Sequence, residues 1–95
     1  MSAYFVFTRE KTLDQAEMDI YNQQVSATTA GHEMKILAAY GPHEDVEGNP
    51  TEGTIILEFS TMEAAKAWHD SPAYREVRTH RFKGAIYRAT LVQGV

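Results

Sequence analysis

The residues best suited to chemistry cluster in the last third of the chain. His69 and Asp70 stand just before Pro72, at a helix break, and Tyr74 and Arg81 follow on one side of the next helical stretch. In this grouping His69 would move a proton at neutral pH, Arg81 would hold a carboxylate or enolate oxygen, and Tyr74 would donate a hydrogen bond to it. Trp68 and Asp70 complete the set as ligand contacts. The same residues also have a plain scaffolding reading: Asp70 or Ser71 caps a helix, Tyr74 packs on Trp68, and Arg81 pairs with an acid such as Glu58. Glu58 is the most suggestive single residue, a carboxylate inside the apolar strand Thr54-Ile55-Ile56-Leu57-Glu58-Phe59. A charge in such a place needs a partner or a cavity. Alternation puts Glu58 with Ile56 and Thr54, opposite Leu57 and Phe59, and leaves open which side meets the helices. The stretch His43-Glu44-Asp45 with Glu47 offers imidazole and carboxylate ligands, but on a flexible loop without metal-site spacing, so it reads as a solvated acidic turn and no metal is expected. There is no glycine-rich phosphate cradle after a strand, no nucleophile elbow and no cysteine, so NAD, ATP, serine-hydrolase and thiol chemistry are set aside and no cofactor is expected.

These groups need elements to hold them. Tyr4-Phe5-Val6-Phe7-Thr8 predicts a strand covered on both faces. Thr12 with Gln15 has the form of a capping box, predicting a helix over residues 13–30 that Gly31 stops. Leu13, Ala16, Ile20 and Ala27 lie on one stripe of it, and Met18, Tyr21, Val25 and Thr28 on a neighbouring one. Met34 to Tyr40 predicts a second strand, residues 43–53 an exposed loop, and Thr54–Phe59 a third strand. Ser60 with Glu63 suggests another capping box, opening a helix whose small face, Ala64, Ala65 and Ala67, flanks Trp68. Ser71 caps a further helix with Pro72 at its first position, and Ala85 to Val92 predicts the last strand. The order β-α-β-β-α-β predicts an α+β ferredoxin-like domain over residues 1–95, with a four-stranded antiparallel sheet whose first and third strands are central.

Size and charge limit what such a domain does. A chain of 95 residues and 10.7 kDa makes one domain, exposing roughly 5,500 Å² when folded alone. The apolar content of 43% and charged content of 23% are globular values. A net charge of −4 argues against tracking a nucleic-acid backbone, and no apolar run is long enough to span a bilayer or form a signal-peptide core. A cytoplasmic, membrane-free protein is the expectation. Two helices cover only one face of a four-stranded sheet, while strands one and three carry apolar residues on both. The economical cover for the second face is the same face of another copy, giving a homodimer.

Ile56-Leu57-Glu58-Phe59-Ser60, Glu63-Ala64-Ala65-Lys66-Ala67-Trp68 and Asp70-Ser71-Pro72-Ala73-Tyr74 resemble the signature of a bacterial family catalogued as domain of unknown function 1330, within the dimeric α+β barrel superfamily. Arg81, the closing Val92-Gln93-Gly94 and Glu47-Gly48 are similar to further family positions. The amino-terminal half departs from the pattern: Gly31-His32 stands where the family usually has paired glycines, and Leu37-Ala38-Ala39-Tyr40-Gly41 contains no arginine where the family has an arginine-glycine turn. His69 occupies a place where tyrosine is common. The resemblance implies two sheets packed in a homodimeric barrel, with a ligand cavity between sheet and helices. The superfamily's chemistry spans cofactor-free monooxygenases, lactone isomerases, polyketide cyclases and haem proteins, as well as members with no known chemistry.

Two functions therefore stand side by side. One is a homodimer that binds a small organic acid or keto-enol compound and moves protons without a cofactor, using Glu58, His69, Tyr74 and Arg81. The other is a non-catalytic binding or assembly protein in which those residues hold the helices to the sheet. A cavity of at least roughly 300 Å³ with Arg81 and Glu58 pointing into it would favour the first, and a filled interior with a closed Arg81–Glu58 pair the second.

Overall fold

A computed structural model describes residues 1–95. Strand β1 (Ala3–Thr12) leads to helix α1 (Gln15–Gln24) and a 3₁₀ turn (Val25–Thr29), then to β2 (Lys35–Ala39) and β3 (Gly53–Phe59); helices α2 (Met62–His69) and α3 (Pro72–Gly84) precede β4 (Ala85–Gln93). The strands are antiparallel in the order β2-β3-β1-β4. This is the ferredoxin-like split βαβ arrangement, with β1 and β3 central as their composition predicts.

The strand periodicity is now assigned to faces. Phe5 pairs with Leu57, Phe7 with Ile55 and Ala3 with Phe59, and together with Trp68, Met18 and Tyr74 these residues supply most of the buried core beneath the helices. The residues between them, Tyr4, Val6, Ile56 and Glu58, lie on the other face, where no helix packs. They stay half-exposed, and Val92 beside Tyr4 is 49% exposed. The domain is a slab of 31 × 30 × 17 Å, and its surface of 6148 Å² exceeds the roughly 5,500 Å² expected for a closed globule of this mass. The uncovered sheet face contributes to the excess, together with the exposed loop over residues 41–50.

Local details correct several sequence expectations. Thr12 does not cap α1: it ends β1, and its N–H and hydroxyl donate to Glu52 at 3.0 and 2.6 Å. The cap is Asp14, which accepts from the N–H groups of Ala16 and Glu17 at 3.1 and 3.4 Å. The stripe beginning at Leu13 faces outward, and Met18, Tyr21 and Thr28 of the neighbouring stripe are buried instead. The α-helix stops at Gln24 rather than near residue 30. Beyond it the Thr28 and Thr29 hydroxyls donate to the Val25 and Ser26 carbonyls at 2.6 and 2.8 Å, which tightens the last turn into 3₁₀ geometry. Gly31, with φ of 80°, then reverses the chain. Thr61 rather than Ser60 caps α2, accepting from Ala64 N–H at 3.0 Å, while Ser71 caps α3 over Pro72 as expected.

Candidate functional site

The sheet and the helical layer do not close completely. Between β1, β2, β3 and the α1–3₁₀ segment, with Tyr87 of β4 at one side, lies a cavity of about 250 Å³, below the roughly 300 Å³ that would favour the ligand-binding reading. Its walls are mainly apolar, with Phe7, Ile55, Leu57 and Val25 among them, and Arg81 is the one charged residue in its lining.

Arg81 reaches the cavity from the last turns of α3 and is only 4% exposed. Its guanidinium carbon lies 5.2 Å from the Phe7 ring centre, 5.0 Å from that of Phe82 and 5.0 Å from that of Tyr87. Aromatic faces offset part of the cost of burying a cation, but they leave its N–H donors unfilled. No protein acceptor reaches Arg81 Nε, and Arg81 takes part in none of the ion pairs. A desolvated guanidinium without a counter-charge is costly. The cavity therefore favours an anion.

The other sequence-predicted residues are distributed differently. Trp68 lines the cavity, with its indole N–H donating to Thr28 Oγ1 at 3.2 Å. Tyr74 is fully buried behind it, its ring 4.1 Å from Trp68 centre to centre. The Tyr74 hydroxyl lies 2.8 Å from that of Tyr21, so it supports a wall residue rather than lining the cavity itself. His69 stacks on Phe5 at 5.1 Å, away from the lining, and Arg78 Nη1 donates to its Nδ1 at 3.0 Å. That bond places any ring proton of the neutral imidazole on Nε2. Burial first, and then the Arg78 charge, hold the His69 pKa below its ordinary value. Asp70 ends α2 at the surface, 3.6 Å from His69 and 3.9 Å from Arg78.

Glu58 lies on the helix-free face, where its carboxylate accepts from the Tyr4 hydroxyl at 3.2 Å. The pairing of Glu58 with Arg81 is thereby corrected, because the two charges lie on opposite sides of the sheet. His43 and Asp45 close their own loop: Thr51 donates to Asp45 through its N–H at 2.9 Å and its hydroxyl at 2.7 Å. These bonds hold the Asp45 pKa below its ordinary value.

Of the sequence-predicted residues only Trp68 and Arg81 line the cavity, and the lining residues outside that set include three phenols, Tyr21, Tyr40 and Tyr87. Tyr21 was legible as a core position on its helical stripe. Tyr40 and Tyr87 gave a weaker signal, since knowing that they meet required knowing which face the helices cover. Their hydroxyls hydrogen-bond to each other. Burial, reinforced by these phenol contacts, pushes Tyr21 and Tyr40 well above the ordinary tyrosine pKa, so both remain neutral.

Known proteins share this frame. A protein of unknown function from Rhodopseudomonas palustris superposes with a TM-score of 0.77 at 13% identity, covering 99% of this chain and 82% of its own. A dimeric ferredoxin-like protein of unknown function from Thermobifida fusca gives 0.67 at 11% identity, with 99% and 92% covered. SnoaB, a cofactor-independent oxygenase from Streptomyces nogalater, gives 0.64 at 12% identity, with 99% and 93% covered. At such identities the likeness is one of fold. No curated protein matches the sequence. The family described as Domain of unknown function (DUF1330) matches residues 2–95, and the chain belongs to that family.

Proposed function

We propose that the protein binds a compact organic molecule with an apolar body and one anionic oxygen group, held in the helix-side cavity by Arg81. The observation that carries this reading is the buried Arg81 side chain, whose Nε has no protein acceptor and which joins no ion pair, in the wall of a mainly apolar cavity. Trp68, Phe7 and Leu57 would enclose the ligand's body. Tyr74 would act indirectly, by fixing Tyr21 and Trp68.

Binding is favoured over proton transfer as the basic function. Neither His69 nor Glu58 lines the cavity, and no other imidazole or carboxylate does, so a ligand there meets phenols and a guanidinium but no ordinary general base. The second component of the proposal is a homodimer formed through the face bearing Tyr4, Val6, Ile56 and Val92. It is supported by the excess exposed surface and by relatives described as dimeric.

A thermal-shift panel of cyclic carboxylates and enolised 1,3-diketones tests the binding reading. At least one anionic compound should raise the wild-type Tm, and Arg81→Met should lose most of that rise. Equal shifts in both proteins would make Arg81 scaffolding and remove the reading.

A further inference from the structure

Tyr40 is held in place by an unusual amount of structure. It is the one non-glycine residue with positive φ, 56°, a left-handed conformation that aromatic residues rarely adopt and that favourable surroundings must sustain. Its N–H still donates to the Thr54 carbonyl at 2.9 Å, so the turn begins directly at the end of the β2–β3 ladder. The ring lies over Gly53, where a Cβ would come within 2.5 Å of Tyr40 Cδ1. The Arg9 guanidinium covers it at 4.7 Å and is itself held 3.1 Å from Glu52.

The hydroxyl delivered this way meets that of Tyr87. Tyr40 follows β2 and Tyr87 belongs to β4, the two outer strands, so the pair reaches across the helix side of both central strands at the cavity wall. Tyr87 also lies 5.0 Å from the Arg81 guanidinium. The two phenols carry two protons between them and spend one on each other. One O–H remains to be given away, and both residues line the cavity. Burial keeps Tyr40 protonated, so the pair offers a neutral donor beside a cation.

We infer that Tyr40 and Tyr87 form the second arm of an oxygen clamp with Arg81, selecting an organic acid that carries a ketone or similar neutral acceptor oxygen next to its anionic group. This inference rests on the proposed anion site and adds the class of ligand that the site prefers. Arg81 takes the anionic oxygen, and the free phenol proton takes the neutral one.

The test uses a matched pair of probes, 2-acetylbenzoate and 2-isopropylbenzoate, which differ by a carbonyl oxygen in place of a methyl group and a hydrogen. By titration calorimetry the wild type should bind the ketone about ten-fold more tightly, the worth of one good buried hydrogen bond. The double variant Tyr40→Phe/Tyr87→Phe should bring that ratio close to one while keeping the affinity for 2-isopropylbenzoate, and Arg81→Met should lose both probes. The infrared ketone stretch of 2-acetylbenzoate bound to wild type should move to lower wavenumber, a readout that does not depend on the variant folding. Equal wild-type affinities with an unshifted carbonyl, and both lost in Arg81→Met, would overturn the clamp and leave the anion site standing. A double variant that weakens both probes alike would reduce the tyrosines to structural props and overturn the clamp too. Binding of neither probe by the wild type at millimolar concentration would overturn the clamp and the anion site together.

Discussion

The two faces of the sheet carry similar apolar side chains, but they meet different surroundings. On the helix face Phe5, Phe7, Leu57 and Phe59 are buried by the chain itself. The only buried charged residue, Arg81, is there, unpaired and beside a cavity. On the opposite face Tyr4, Val6 and Ile56 remain half-exposed, and the carboxylates are already engaged, Glu58 by Tyr4 and Glu10 by Arg88 at 3.5 Å. The helix face is thus covered by the chain's own helices, apart from the cavity, but unsatisfied in charge, whereas the open face is satisfied in charge but uncovered. In the proposed function an anion would answer the first deficit and a second copy of the chain the second.

The largest effect should come from placing a carboxylate on each face in turn. Leu57→Asp buries an unpaired charge in the core, at a cost of several kcal/mol. That is comparable to the whole stability of a small domain, so cooperative melting should disappear. Ile56→Asp, one residue away on the open face, should keep the secondary structure seen by circular dichroism while sedimentation gives a mass near 10.7 kDa instead of twice that. If Ile56→Asp leaves a dimer intact, the open face is not the interface.

Next in size is Gly53→Ala, which pushes the Tyr40 ring off its seat. A loss of about 1–3 kcal/mol in chemical denaturation is expected for overpacking of this kind. Arg81→Met works in the opposite sense. Replacing an unpaired buried charge with an apolar chain of similar length should stabilise the ligand-free protein by about 1 kcal/mol, a rise of roughly 4–8 °C in Tm for a domain of this size. A clear fall in Tm would mean that the guanidinium is satisfied within the fold.

The smallest effect is one of pH. The His69 pKa is lowered in the folded protein, so the unfolded chain binds the proton more readily, and His69 should erode stability as pH falls below about 6.5, its unfolded value. Asp45 and Glu52 are also lowered and erode stability in the same direction, but only in more acid solution, below the unfolded carboxylate range. Urea melts between pH 7 and pH 5 should show a loss of stability that His69→Gln reduces. An identical slope in the variant would detach the effect from this residue.

Much of the fold was readable because it depends on local chemistry. The apolar runs at Tyr4–Phe7 and Thr54–Phe59 marked the central strands, and Ser71-Pro72 marked a helix start that forms as expected. Helix caps were less legible where a distant group competes: Thr12 is drawn to Glu52, forty residues away in sequence, and no local pattern shows that. The candidate site was half legible. Arg81 and Trp68 belong to the cavity, and Tyr74 stands behind it. The face that Glu58 occupies is not legible, because alternation gives two faces without saying which the helices cover. Tyr40 escaped notice because its importance depends on a left-handed turn, a glycine in the neighbouring strand and a partner on the far edge of the sheet, none adjacent in sequence.

The central claim is that the helix-side cavity is an anion site governed by Arg81. Trp68 is the only tryptophan in the chain and lines that cavity, so its fluorescence reports on occupancy directly. Titration with cyclohexanecarboxylate, an apolar ring with one carboxylate and no absorbance of its own in this range, should give a saturable change in wild-type Trp68 emission and none in Arg81→Met. The same saturable change in both proteins would contradict the account, as would no change in the wild type.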